Sequence, residues 1–304
     1  MLDPRLVEDV AFRLQTDAGL VEKDWHVVRA IGVIAALDHG DVTPAFSGGT
    51  SLSKGWGLIK RFSEDIDFKL AIAPSASRSQ DRKRRKAYRD LVLAALASAE
   101  FELVGEVLKG NEDSFFSADF SFQSSFAAGP GLRPHLRVEM TFQETALPPV
   151  GRPIRSLIGE ALADAPEVSS FLCIDPIETA ADKLSALAWR VCTRARGTER
   201  DDPTIIRHLH DLAALHENIR GSQTFHDLVQ KAVQADTGRG GSEVPANPDE
   251  RIAIMLNRLQ RESFWAEDYD AYVRQVSYAK LGEKISFPTA LDMLRVLIQS
   301  TEQE

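Results

Sequence analysis

Residues 46–70 read FSGGTSLSKGWGLIKRFSEDIDFKL, and no other stretch of the chain brings glycines, hydroxyls, bases and carboxylates so close together. The apolar entry at Phe46, the Gly48–Gly49 pair and the hydroxyls of Thr50, Ser51 and Ser53 predict a strand turning tightly into a helix. Glycine accepts the backbone angles of such a turn, and short hydroxyl side chains suit a helix start. Exposed amide hydrogens at a helix start attract anions. Downstream, Asp65, Asp67 and Lys69 alternate with Ile66, Phe68 and Leu70, the period of two of a half-buried strand. Both aspartates then share one face, close enough to hold Mg²⁺ jointly, and a metal pair is a common way to stabilise the attacking and leaving oxygens of phosphoryl transfer.

A glycine pair alone carries little information, and alternating acids often mark only the wet face of a strand. The joint spacing is the specific signal. The stretch resembles the AbiEii/AbiGii toxin family of nucleotidyltransferases, in which a GG-[TS]-x-L-x-K turn and helix leads into an R-F-S-x-D-x-D strand. Gly48, Gly49, Thr50, Leu52, Lys54, Arg61, Phe62, Ser63, Asp65 and Asp67 fill that pattern. The resemblance implies the toxin of a toxin-antitoxin pair that moves a nucleotide from a nucleoside triphosphate to tRNA. It implies Asp65 and Asp67 as metal ligands, nucleotide contacts at Gly48, Gly49, Thr50, Ser51, Lys54 and Ser63, and a cognate antitoxin as partner.

With 304 residues, 43% apolar and 27% charged, the chain has the composition of a globular protein with a core. Ala30–Leu37, its longest unbroken apolar run, falls well short of the roughly 20 residues that span a bilayer, so no membrane association and a cytoplasmic location are expected. Cys173 and Cys192 are the two cysteines, far apart and outside any C-x-x-C, which suggests neither a disulfide scaffold nor a thiolate zinc site. A net charge of −9 argues against an open basic nucleic-acid surface, although a local patch can still bind phosphate.

Before the central stretch, Leu6, Val10 and Leu14, then Val21, Trp25 and Val28, predict two helices, the second ended by Asp38, His39 and Gly40. Glu22-Lys23-Asp24-Trp25 looks like an E-K-D-[YW] feature of the same family, yet ions in a first helical turn are ordinarily solvated, and no chemistry is assigned to them. Beyond it, RSQDRKRRKAYR at 78–89 predicts a helix with a basic front. This front either steers a phosphate backbone, with Tyr88 available to stack, or is a plain solvated face.

Residues 114–124 and 134–143 alternate apolar and polar and predict two antiparallel strands joined through Gly129, Pro130 and Gly131. This pairing brings Glu139 to the Asp65 face as the third carboxylate, with Asp119 as rival and a cross-strand pair between Arg137 and an acid as the bland alternative. From Cys173 onward the pattern is helical, and Asp175, Pro176 and Glu178 form a helix start. Ile177, Ala181, Leu184 and Ala188 mark the buried stripe of that helix, with Lys183 on another face. E-T-A-A-D-K-L-S-A-L and R-H-L-H-D-L look like two further motifs of the family. They imply that Lys183 meets the nucleotide phosphates and that Asp211 lies near the active centre, orienting Lys183 or acting as a base; alternatively Arg207 and Asp211 are an exposed pair. His208, His210 and His216 do not fall on one helical face, so no zinc site is expected.

The expected architecture is α+β: a nucleotidyltransferase-like domain over residues 1–165 with a mixed sheet and flanking helices, then a helical domain over 166–304 that completes the active-site cleft. The expected chemistry is Mg²⁺-dependent nucleotidyl transfer, catalysed by Asp65, Asp67, Lys183 and Asp211 with Glu139 as third metal ligand. A protein or small-molecule acceptor is the alternative within that chemistry. A non-catalytic nucleotide-binding module is the alternative outside it, and binding of triphosphate without pyrophosphate release would mark it.

Overall fold

The computed structural model describes residues 2–129, 132–199, 201–239, 241 and 244–299. It comprises two compact units, Met1–Asp175 and Pro176–Glu304, so the first unit runs ten residues past the border expected at 165. The difference is β7 (Val168–Cys173), which the sequence pattern hides and which pairs parallel with β1 (Val42–Ser47) through Phe46 and Cys173.

The first unit is built on a seven-stranded mixed sheet whose strands lie in the order β3 (Glu102–Lys109), β4 (Phe115–Ser121), β5 (Leu136–Thr141), β2 (Asp65–Ile72), β1, β7 and β6 (Val150–Ile154). β2 (Asp65–Ile72) pairs antiparallel with β1 and parallel with β5 (Leu136–Thr141), and β4 (Phe115–Ser121) pairs antiparallel with β5. The antiparallel pairing expected of the 114–124 and 134–143 segments is present. Pro130 and Gly131 of their connection lie outside the described residues. Two further strands escape the alternation pattern: β3 (Glu102–Lys109) is exposed along most of its length, and β6 (Val150–Ile154) contains Pro153.

Register sorts the sheet into rows. Phe46, Phe68, Met140 and Phe116 stand opposite one another on successive strands, all buried, with the rings of Phe46 and Phe68 5.4 Å apart. The next row, one residue along, is polar: Ser47, Asp67, Glu139 and Ser117. A period of two makes this alternation obligatory once one face is the core.

α1 (Pro4–Leu14) and α2 (Ala18–Ala35) match the expected pair of leading helices, and α2 packs on α4 (Arg78–Ser98), α5 (Leu157–Leu162) and β7. The charges of α2 overturn one expectation. Glu22, Lys23 and Asp24 are all buried. Glu22 accepts from the hydroxyl of Ser124 and the amides of Ser125 and Phe126, Lys23 bonds Glu64 and the carbonyl of Arg133, and Asp24 accepts from the Leu157 amide at 2.7 Å. These ions are interior struts that fasten loops to the helix, because a charge removed from water must find partners.

The second unit is helical. α6 (Pro176–Thr193) packs on α7 (Arg207–Ile219), α8 (Gln223–Ala235) and α9 (Pro248–Arg261), and α7 packs on α10 (Phe264–Val276) and α11 (Phe287–Gln299). Trp265 and Tyr269 are fully buried, and the buried Arg251 donates to the carbonyls of Val233 and Pro245. No described helix is long and apolar enough to cross a membrane.

His26 on α2 lies buried 4.3 Å from the ring of Phe122, and burial, aided by Arg29, lowers its pKa to about 4. A depressed histidine stabilises the fold fully above its free value near 6.5 and loses that contribution as pH falls toward 4. The stability of the protein should therefore drop between pH 6.5 and 4. His26→Phe should flatten that limb by no more than about 3 kcal/mol, measured as chemical denaturation midpoints against pH; an unchanged slope would mean that this ring does not titrate on unfolding.

Candidate active site

The spacing of the central motif is a packing code. At Gly48, φ is +73°, and a Cβ there would stand 2.1 Å from Oδ2 of Asp67; a Cβ on Gly49 would stand 2.6 Å from Nη2 of Arg61 and 2.8 Å from Oγ of Ser63. Both positions need glycine, the first for backbone angle and approach together. The Thr50 hydroxyl donates to the carbonyls of Ser63, at 3.2 Å, and Asp65. Each residue of G-G-T in α3 (Gly48–Lys54) is thus keyed to a residue of R-F-S-x-D-x-D.

Three of the side chains expected to meet nucleotide are buried in this packing. Thr50 and Ser51 are 0% and 1% exposed; Thr50 is spent on stapling α3 to β2, and Ser51 lies against the thiol of Cys173. Lys54 is buried, with Nζ 2.5 Å from Oδ1 of Asp24. Burial pushes the Asp24 carboxyl upward and Lys54 opposes it. Ligand-accessible surface at the motif comes from Ser47, Gly48, Ser63, Asp65 and Asp67, all half-buried.

Asp65 and Asp67 share the polar face of β2, and Glu139 stands directly opposite Asp67 on β5. Glu139 accepts from the Ser117 hydroxyl at 3.2 Å, while Asp65 accepts from Nη2 of Arg133. Asp119 is held bidentately by Arg137 at 2.7 and 2.9 Å, which lowers its pKa; this is the cross-strand pair weighed above, and it ties up the rival third acid. Among the described residues no three His, Cys, Asp or Glu side chains converge closely enough to hold a metal ion. The two adjacent aspartates with hard oxygen donors fit Mg²⁺, which keeps several waters and phosphate oxygens of its own. Asp67, seated where Gly48 leaves room for it, fits that role best.

In the second unit, Nζ of Lys183 is 2.7 Å from Oδ2 of Asp211, with side chains 8% and 0% exposed. Asp211 is therefore no exposed partner of Arg207. Nδ1 of His210 lies 3.5 Å from the other oxygen of Asp211. Burial, reinforced by Lys183 and Arg207, keeps His208 neutral with a pKa well below its usual value.

The basic helix α4 is largely engaged internally. Arg84 pairs with Asp41 and Asp81, Arg89 with Asp113 and Asp90, and Arg85 lies 5.8 Å from the ring of Phe142. Tyr88 is buried, its hydroxyl 2.9 Å from His39, so it offers no stacking face. Arg78, Arg82, Lys83 and Lys86 remain exposed, Arg82 with its Nε 3.1 Å from Asp113.

The sequence profile of the family described as "Nucleotidyl transferase AbiEii toxin, Type IV TA system" matches residues 35–292. The chain belongs to the AbiEii nucleotidyltransferase toxin family. Its fold is similar to that of MenT4, a nucleotidyltransferase toxin from Mycobacterium tuberculosis H37Rv, with a TM-score of 0.56 and 18% identity over 98% of this chain and 99% of that one. No curated protein matches the chain. Membership makes it a nucleotidyltransferase of a type IV toxin-antitoxin system, with a nucleoside triphosphate as substrate and an antitoxin as partner.

Sequence reasoning overlooked Arg133, Glu64 and Lys23, which gather around Asp65. Glu64 lies inside the quoted motif but at a variable position, and only the fold brings 23 and 133 to it. The Lys54–Asp24 pair has its own test. Lys54→Met strands the buried Asp24 and should destabilise the protein by roughly 3–5 kcal/mol in urea unfolding, with Asp24→Leu added to it restoring much of the loss. A variant of parental stability with weakened triphosphate affinity would return Lys54 to the ligand.

Proposed function

We propose that the chain transfers a nucleotide to tRNA with Mg²⁺ held by Asp65 and Asp67, and that it does so in the cytoplasm. The observation that carries this is the seating of Asp67 beneath a side-chain-free Gly48, in one row with Ser47 and Glu139. Carboxylates concentrated at a turn without side chains make no sense for binding a triphosphate alone, whose own charge they repel. The bound ion would supply neutralisation of phosphate charge.

The protein's own groups then have distinct tasks. An acceptor oxygen attacks the α-phosphorus, the bond to the bridging oxygen breaks, and pyrophosphate leaves. The half-buried Gly48 lets the phosphates approach the backbone, Gly49 makes room for Arg61 and Ser63 to pack beneath the turn, and the half-buried Ser63 offers a hydroxyl. Glu139 orients the polar row and is the third acid by position. Lys183, paired with Asp211 inside the second unit, is the cation that the family motif assigns to the phosphates, a point charge that would gain strength as charge moves to the leaving group. Arg84 and Arg89 of α4 paired with acids of the same chain, together with a net charge of −9, favour a compact acceptor contact over a broad basic surface. That is also what keeps a protein or small-molecule acceptor as the second reading.

Incubation with each labelled triphosphate, Mg²⁺ and total cell RNA should label a tRNA-sized species. Asp65→Asn and Asp67→Asn should each cut pyrophosphate release by orders of magnitude with the fold intact; Lys183→Ala should cut it as far but also lower stability, because it strands the buried Asp211; Glu139→Gln should also be damaging and Asp119→Asn mild on turnover. Asp65→Asn at the parental rate sinks the metal assignment. Label in protein instead of RNA moves the acceptor.

A further inference from the structure

Of the four residues Glu22-Lys23-Asp24-Trp25, three are interior struts and the fourth is not. Trp25 is half-buried, and its Nε1 makes no hydrogen bond among the described residues. It lines a cavity of about 890 Å³ bounded by α2, the end of α4, the start of β3 and the segment that follows β4, a volume in the range of small-ligand sites. The cavity lies at the Asp65 end of the sheet. Asp65, Arg137 and Asp119 stand opposite one another on β2, β5 and β4, and Ser121, which lines the cavity, is two residues beyond Asp119. Two strand spacings and two residues of rise place its backbone on the order of 12 Å from that of Asp65.

The walls are stacking surfaces. The ring of His26 lies 4.3 Å from that of Phe122 and 4.9 Å from that of Trp25, and the Arg29 guanidinium lies 5.9 Å from the Trp25 ring. His26 is 4% exposed, its Nδ1 has no partner among the described residues, and burial keeps the imidazole neutral. The charge of the lining is negative. Arg29, held by the Ala99 carbonyl and Glu100, faces the carboxylates of Glu22, Glu100 and Glu102. Glu22 is spent on the amides of Ser125 and Phe126, whereas Glu102 is exposed and its carboxylate has no partner among the described residues.

Such a lining repels phosphate but suits a base, whose flat ring stacks on aromatic and guanidinium planes. A carboxylate accepts from an exocyclic amino group, as it does from N4 of cytosine, and uracil has none. We propose that this cavity takes an unstacked, amino-bearing base of the acceptor RNA, stacked on Trp25 and Phe122, with Glu102 accepting from its amino group. A chain of net charge −9 thereby holds RNA by a base instead of by a broad basic surface. This rests on RNA as the acceptor, and the experiment separates the two ideas.

Single-stranded oligo(C), oligo(A) and oligo(U) are titrated with the full chain at several salt concentrations and followed by fluorescence anisotropy; triphosphate affinity is measured separately, and thermal melts verify folding. Oligo(C) and oligo(A) should bind more tightly than oligo(U). Trp25→Leu and Phe122→Leu should each weaken oligo(C) roughly tenfold with an unchanged salt slope, because no phosphate contact is lost. Trp25→Phe should keep most of the affinity, and triphosphate affinity should be retained throughout. Glu102→Ala, at an exposed position, should bring oligo(C) close to oligo(U). Parental oligo(C) affinity in both leucine variants, a flatter salt slope, or equal binding of the three oligonucleotides overturns the base cavity, and label in tRNA in the transfer assay then leaves the proposed function standing. Ring-dependent oligo(C) binding with label in protein instead of RNA keeps the cavity as a base site while the RNA acceptor falls.

Discussion

Asp67 sits so close to the backbone of Gly48 that a single methyl carbon there would come within 2.1 Å of its carboxylate. This contact fixes the end of β1 against the start of β2. The sheet propagates it: Ser47 opposes Asp67, Asp67 opposes Glu139, and Glu139 opposes Ser117. Because successive residues alternate faces, the same register that puts Phe46, Phe68, Met140 and Phe116 into the core lines up the polar row. Packing and chemistry are set by one choice of register, and slipping β2 by a single residue would bury its acids and expose Ile66, Phe68 and Leu70.

Concentrating acids on one face creates an electrostatic debt that the first unit settles with fixed cations. Arg137 answers Asp119, Arg133 answers Asp65 and Glu64, and Lys23 reaches the same junction from α2. Asp24 and Lys54 tie α2 to α3 in the interior. Buried pairs of this kind contribute little net stability but make either partner costly to remove, which suits a framework that has to hold one geometry of turn and strand.

Much of this was legible in the sequence. Asp65, Asp67 and Glu139 share a face because period two is a local property, and the Gly48–Gly49 turn announces itself through residue type. Family resemblance left orienting Lys183 as one of the roles open to Asp211, and the two side chains are paired. What remained hidden depends on tertiary neighbours. Glu22, Lys23 and Asp24 look like solvated ions of an early helical turn until loops 124–126 and 133 close over them. Thr50 and Lys54 look like ligands because motif positions near a glycine turn draw attention, whereas their atoms serve the seam between α3, α2 and β2. β3, β6 and β7 lack clean alternation, since edge exposure, a proline and a short mixed run blur the pattern.

The central claim is that Asp65 and Asp67 together bind the cation that accompanies a triphosphate. Crystals grown with Mn²⁺ and a non-hydrolysable nucleoside triphosphate test it most directly through the anomalous scattering of manganese. The account predicts a peak within about 2.2 Å of one oxygen from each aspartate, with triphosphate oxygens completing its coordination beside Gly48. A manganese ion and triphosphate bound away from β2, with Asp65 still on Arg133, would contradict it.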